Sequence, residues 1–180
     1  MAKQKDFDTF LRNIEPSKTT VQYVSSVQNS LRDYLRQHKT YSNVHKETFL
    51  SGSYAKHTSI RPTKEDNKRD VDIIVVTTHS QDDDSSKVLQ ELYDVLVASS
   101  TYRSATIQHH SVGIELSQLS IDVVPVIVDK DDDSLYWIAD SEDGTWTNSD
   151  PKGHKNWSTE TNQNNNNNYK PLVKIFKWWR

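Results

Sequence analysis

The run Asp70-Val-Asp-Ile-Ile-Val-Val-Thr-Thr78 constrains this chain more than any other segment. β-Branched side chains are stiff at χ1 and favour extended backbone, so the run predicts a strand buried along most of its length. Residues i and i+2 of a strand point to the same face, so Asp70 and Asp72 present their carboxylates together. Two ionised carboxylates about 4–5 Å apart repel by roughly 4 kcal/mol at an effective dielectric near 20. A cation between them relieves that repulsion, and an all-oxygen ligand set suits Mg²⁺ or Mn²⁺.

A second apolar run, Ile121-Asp-Val-Val-Pro-Val-Ile127, carries one more carboxylate, Asp122. If its strand neighbours the first, Asp122 reaches the same metal. Three carboxylates holding two ions suit an in-line phosphoryl displacement. Upstream, Lys46–Ser51 reads as a strand running into Gly52-Ser53. Glycine there lets backbone approach a substrate, and amides at a strand-to-helix turn form a nest for a triphosphate. Each piece alone has an ordinary explanation: a turn, a solvated strand end, a stray polar residue. Their order, each at a strand edge, points to metal-assisted chemistry on phosphates.

The remaining pattern supplies a frame. Apolar spacing predicts helices over about 5–14 and 19–38, and a third opened by Asp82–Asp84 with Val88, Leu89, Leu92, Val95 and Leu96 on its buried face. Further strands are expected over about 105–110, 112–117 and 119–128, the last two as an antiparallel hairpin around Ser117-Gln118. Residues 129–168 fade into loops, with the asparagine run Asn164–Asn168 expected to be mobile. From Tyr169 the pattern turns helical again and stops with no cap at Trp178-Trp179, which reads as a longer chain cut inside a helix. The fold class expected is α/β (α+β): a small mixed, largely antiparallel sheet with helices on one side.

Composition narrows the function classes. At 180 residues the chain fits one domain with a real core. Its formal net charge of −3 is a poor match to a long nucleic acid, whose affinity comes from phosphate neutralisation. There is no cysteine, so thiolate zinc sites and disulfides are excluded. The first residues lack an apolar stretch behind their lysines, and no window approaches a membrane span, so a cytoplasmic protein is expected. His109-His110, taken as neighbours on a strand, would face opposite ways and not chelate together. Asp82–Asp84 and Asp131–Asp133 read as solvated charge runs, and Tyr136, Trp137, Trp146 and Trp157 as packing more than base stacking.

The stretch Leu50-Ser-Gly-Ser-Tyr-Ala-Lys-His-Thr-Ser-Ile-Arg61 followed by Asp70-Val-Asp-Ile-Ile-Val-Val resembles the signature of the polymerase β nucleotidyltransferase superfamily. With Ser111-Val-Gly-Ile, Ile121-Asp-Val-Val-Pro125, Trp146 with Thr147-Asn-Ser-Asp-Pro-Lys-Gly-His154, and Leu172-Val-Lys-Ile-Phe-Lys-Trp-Trp179, it is most similar to the bacterial cGAS/DncV-like cyclic-oligonucleotide synthases (CD-NTases) of antiphage signalling. The resemblance implies one catalytic domain over 1–180: helices over 1–45, a catalytic sheet over 46–128, a loop-rich region over 129–168, and the start of a spine helix over 169–180 leading to a helical lobe. It implies transfer of a nucleoside monophosphate from an NTP to a ribose hydroxyl, with pyrophosphate released and a cyclic second messenger formed for a downstream effector. Gly52 and Ser53 would hold the triphosphate, Asp70, Asp72 and Asp122 two Mg²⁺ or Mn²⁺ ions, and Lys177 and Lys174 would reach the phosphates. Addition of nucleotides to RNA or tRNA 3′ ends, or nucleotide binding without turnover, are the alternatives. The 16 residues between Ser53 and Asp70 exceed the generic superfamily spacing, and the excess falls in a charged Thr63–Arg69 segment expected to bulge outward. A chain ending at residue 180 is expected to be catalytically crippled.

Overall fold

The computed structural model describes residues 2–62 and 68–180; most of the charged segment that lengthens the spacing before Asp70 lies outside them. Helix α1 (Ala2–Ile14) leads to α2 (Lys18–Gln37), where Ser17 caps the first turn by accepting from the Thr20 amide at 3.1 Å. A short turn brings the chain to β1 (His45–Leu50), followed by the four-residue α3 (Gly52–Ala55) and β2 (Arg69–Thr77). Helix α4 (Ser85–Val97) is capped by Asp84, whose side chain accepts from the Ser86 amide at 3.0 Å. Strands β3 (Thr106–Ile107), β4 (Val112–Glu115), β5 (Leu119–Val128), β6 (Tyr136–Ala139) and β7 (Trp146–Ser149) precede α5 (Pro151–Asn164) and α6 (Tyr169–Trp179).

The strands form one sheet in the order β1-β2-β5-β4-β3, with β6 paired to β5 beyond β4 and β7 paired to β6. Among the described residues only the β2–β5 pairing is parallel, so the sheet is mixed and largely antiparallel, as its sequence predicts. The β4–β5 hairpin closes with the Leu116 amide on the Leu119 carbonyl at 2.8 Å.

Alternation along the two central strands divides the molecule. Val71, Ile73 and Val75 of β2, with Leu119, Ile121 and Val123 of β5, pack against Val24, Leu31 and Leu35 of α2 and Leu89, Leu92, Val95 and Leu96 of α4. On the other face Ile74, Val76, Val126 and Tyr136 form a smaller cluster with Phe49, Val124, Val128 and Ile138. The carboxylates at 70, 72 and 122 share this second face, toward the strand starts.

Three expectations need correction. Residues 129–168 are not mainly loop: β6, β7 and α5 occupy much of them. The sequence Pro-Lys-Gly-His-Lys-Asn-Trp-Ser-Thr-Glu lacks an apolar stripe, so periodicity passes over α5. Its start is nonetheless written, since Asp150 caps the Gly153 amide at 2.6 Å and Pro151 occupies the first turn. The asparagine run is a bonded turn: Asn166 and Asn167 adopt φ of 53° and 62°, which asparagine tolerates well, and the Asn167 amide donates to the Asn162 carbonyl at 2.8 Å. Helices do not all lie on one side either. The start of α5 reaches the second face, where the Lys152 ammonium sits 4.8 Å from the Phe49 ring centroid and 5.5 Å from that of Tyr136.

Candidate active site

The register of β2 and β5 pairs Asp72 directly with Asp122 and Asp70 with Ser120. Because the strands run parallel in register, residues of equal parity share a face, and the three carboxylates meet at one place. Burial raises the Asp122 pKa, and the charges of Asp72 and then Asp70 raise it further. The polar side chains of Gln108 and Ser111 oppose the shift without cancelling it. Asp122 is thus half-buried beside two further carboxylates. The cluster's all-oxygen donors fit a hard divalent cation.

Gly52 explains why the first strand ends where it does. It adopts φ +56°, and a Cβ built on it would lie 1.7 Å from Asp72 Oδ2 and 3.1 Å from Asp72 Cβ. The Ser51 amide donates to the Asp72 carbonyl at 2.9 Å, so the Gly52 turn is fastened over that carboxylate. Ser53 lies in the turn with its hydroxyl 2.9 Å from Ser59 Oγ, and its carbonyl accepts from the Thr58 amide at 2.9 Å.

The two lysines of α6 separate. Lys177 lines an open cleft of about 940 Å³ together with Ser53 and Asp70. Burial pushes its pKa down, the Lys56 ammonium adds to that, and Asp72 pulls the other way, which sets Lys177 among the cluster's neighbours. Lys174 instead binds Glu15 Oε1 at 2.7 Å and is only 14% exposed, tying α6 to the residue that follows α1. Sequence spacing of three residues groups them; packing against α1 divides them.

Some neighbours of the cluster have no sequence signal. Beside Asp72, a pocket of about 220 Å³ is floored by Ile74, Val124 and Ile138 and edged by Lys56, His154 and Lys155. Behind Asp122, Gln108 is held by the Ser111 hydroxyl donating to its Oε1 at 2.8 Å. Gly113, paired with Asp122 across β4–β5, makes room for that side chain: a Cβ there would lie 2.3 Å from Gln108 Nε2. Gly113→Ala is therefore expected to push the amide off Asp122. A hydrogen bond to a charged group contributes about 1.5–3 kcal/mol, so turnover should fall about tenfold or more with circular dichroism unchanged.

The Asp122 shift also makes a stability prediction. A raised carboxyl pKa means that ionising Asp122 in the fold is unfavourable; below the ordinary pKa the group is neutral in both states and the penalty vanishes. Without metal, Asp122→Asn should melt above wild type at pH 7. That difference should shrink as pH falls through the folded-state pKa, and Mg²⁺ should raise the wild-type melting point more than the variant's.

Solved structures that share this fold include bacterial CD-NTases. E. coli CdnC, determined with ATP, superposes with TM-score 0.71 at 24% identity over 97% of this chain and 56% of its own. Vibrio cholerae DncV in its 3′-deoxy ATP bound form gives 0.78 at 13% identity over 95% of this chain and 63% of its own. At that identity they show the fold. Residues 1–162 match the Second Messenger Oligonucleotide or Dinucleotide Synthetase domain, and the chain belongs to that family. A cyclic AMP-AMP-AMP synthase of Acinetobacter sp. is 42% identical over the whole of this chain, and a cyclic AMP-AMP-GMP synthase of Enterobacter hormaechei is 32% identical over 69% of it. The chain spans 52% of the first relative and 32% of the second. Among the described residues no helix is long and apolar enough to cross a membrane.

Proposed function

We propose that this chain carries the catalytic face of a cyclic-oligonucleotide synthase, transferring a nucleoside monophosphate from an NTP to a ribose hydroxyl and releasing pyrophosphate. The observation that carries the reading is the Asp72–Asp122 register beneath the Gly52 turn. It sets three carboxylates against a backbone nest that a side chain would block. The 42% identity to a cyclic AMP-AMP-AMP synthase supports ATP as a substrate.

Asp70, Asp72 and Asp122 would hold two Mg²⁺ or Mn²⁺ ions. Bound there, the ions supply charge neutralisation for the triphosphate and acidify the attacking hydroxyl. Gly52 and Ser53 bring backbone amides to the phosphates, and Lys177 adds a cation from the cleft it lines with Ser53 and Asp70. Asp122, braced by Gln108, faces the incoming ribose. The apolar floor of Ile74, Val124 and Ile138 excludes water beside the reacting groups. The product would act on a downstream effector protein, in a cytoplasmic setting.

Incubating the full-length protein with labelled NTPs and Mg²⁺ or Mn²⁺ tests this. Chromatography should show a phosphatase-resistant product from ATP. Extension of added tRNA would identify RNA 3′-end addition instead, and unchanged NTP would identify a nucleotide-binding regulator. The lysines give a second check. Lys177→Ala should weaken nucleotide binding measured by calorimetry, whereas Lys174→Ala should leave it intact and lower the melting temperature through loss of the Glu15 pair.

A further inference from the structure

A turn between β3 and β4 meets the turn between β6 and β7, and both histidines excluded by strand alternation point into the contact. Residues 108–110 are a turn and not a strand, so His109 and His110 lie on the same side with ring centroids 3.9 Å apart and planes inclined by 17°. His109 Nε2 lies 2.9 Å from Asp140 Oδ2, while His110 Nδ1 is held 3.0 Å from the Ala139 carbonyl with the same Asp140 oxygen 3.9 Å away. Asp140 is fixed from behind. Its carbonyl accepts from Ser85 Oγ at 2.7 Å, and its Oδ1 accepts from the Glu142 amide at 2.8 Å, leaving Oδ2 for the imidazoles. The turns are further tied by the Ser141 amide on the His109 carbonyl at 2.9 Å.

A His–Asp hydrogen bond needs one imidazole. Here a second is stacked on the first although the side chains are 50% and 41% exposed, so burial does not force the pair together. The potential ligand atoms of the three residues lie within 4.8 Å of one another. Glu142 Oε2, 3.9 Å from His109 Nε2, supplies a fourth donor.

We propose that His109, His110 and Asp140, completed by Glu142, bind a late first-row divalent cation, zinc above all, at a site separate from the three-carboxylate cluster. The donor set decides the metal: imidazole suits zinc, whereas carboxylates alone suit magnesium. Zinc–nitrogen and zinc–oxygen bonds of about 2.0–2.2 Å put tetrahedral ligands about 3.3 Å apart. The His109–Asp140 pair is already that close. His110 Nδ1 closes on Asp140 Oδ2 from 3.9 Å as the stacked rings open, giving up its 3.0 Å contact to the Ala139 carbonyl, and the three ligand atoms draw together from within 4.8 Å of one another. Each ring binds as neutral imidazole through a nitrogen lone pair, its one N–H carried on the other ring nitrogen by tautomer exchange through solvent, so no net proton is lost. The ion staples the turn that begins at Gln108, the residue that braces Asp122.

Zinc is titrated into the full-length protein against a chromophoric chelator, with excess Mg²⁺ present to saturate the carboxylate cluster. One zinc equivalent is expected, weakened more than about 100-fold in His109→Ala and in His110→Ala and unchanged in Asp72→Asn. Cobalt in place of zinc should give the visible bands of a tetrahedral nitrogen–oxygen site, a readout that needs no variant. Absence of a saturable equivalent, equal affinity in the two histidine variants and wild type, or loss in Asp72→Asn alone would overturn the assignment.

Discussion

Asp72→Asn, and separately Asp122→Asn, should reduce nucleotide transfer on the order of 10³-fold or more while leaving the fold intact. Each carboxylate sits opposite the other across β2–β5, and burial first, then the charge of Asp72, raises the Asp122 pKa. Removing one charge relieves the repulsion between the two, so the variant gains stability without metal and loses the ligand that holds it. Metal assistance is worth several kcal/mol of transition-state charge stabilisation, and each 1.36 kcal/mol is tenfold in rate. Steady-state turnover of the full-length variants, set beside their melting curves, separates chemistry from folding. Turnover near wild type in either variant would remove that carboxylate from the site.

Gly52→Ala should be nearly as damaging for a different reason. At φ +56° an alanine costs about 1–2 kcal/mol. Its methyl would also stand 1.7 Å from Asp72 Oδ2, so the carboxylate must swing away from its place, and 3.1 Å from Asp72 Cβ, which must yield by a few tenths of an ångström. Either β1 lifts off β2 or Asp72 is displaced from its partners. Activity should fall on the order of 100-fold or more, with a lowered melting temperature. Ser53→Ala, beside it, should keep the fold and a measurable rate. A Gly52→Ala enzyme with wild-type turnover and melting would show that the turn does not lie over the carboxylate.

Much of this architecture is written in the sequence because two periodicities dominate it. The central strands announce themselves through β-branched runs, and α2 and α4 through apolar stripes backed by Ser17 and Asp84 caps. The three aspartates are legible because a carboxylate in an apolar strand needs a reason. Strand adjacency is not legible: only the β2–β5 register converts two motifs 50 residues apart into one site. Helix α5 escapes notice because it lacks a buried stripe, although Asp150-Pro151 marks its start. Lys174 and Lys177 look alike until Glu15 claims one of them. Gln108 and the His109–His110 pair depend on a turn where alternation suggests a strand. A period-two rule fails wherever backbone leaves the pleat.

The most direct test of the central claim is the ratio of pyrophosphate released to nucleotide incorporated into phosphatase-resistant product, measured with ATP and Mg²⁺ on the full-length protein. A cyclising nucleotidyltransferase closes every chain, so each nucleotide incorporated releases one pyrophosphate. The ratio should be one to one, and Asp72→Asn should abolish both pyrophosphate release and product. Release of orthophosphate in place of pyrophosphate, or pyrophosphate release with no phosphatase-resistant product, would contradict a cyclising nucleotidyltransferase.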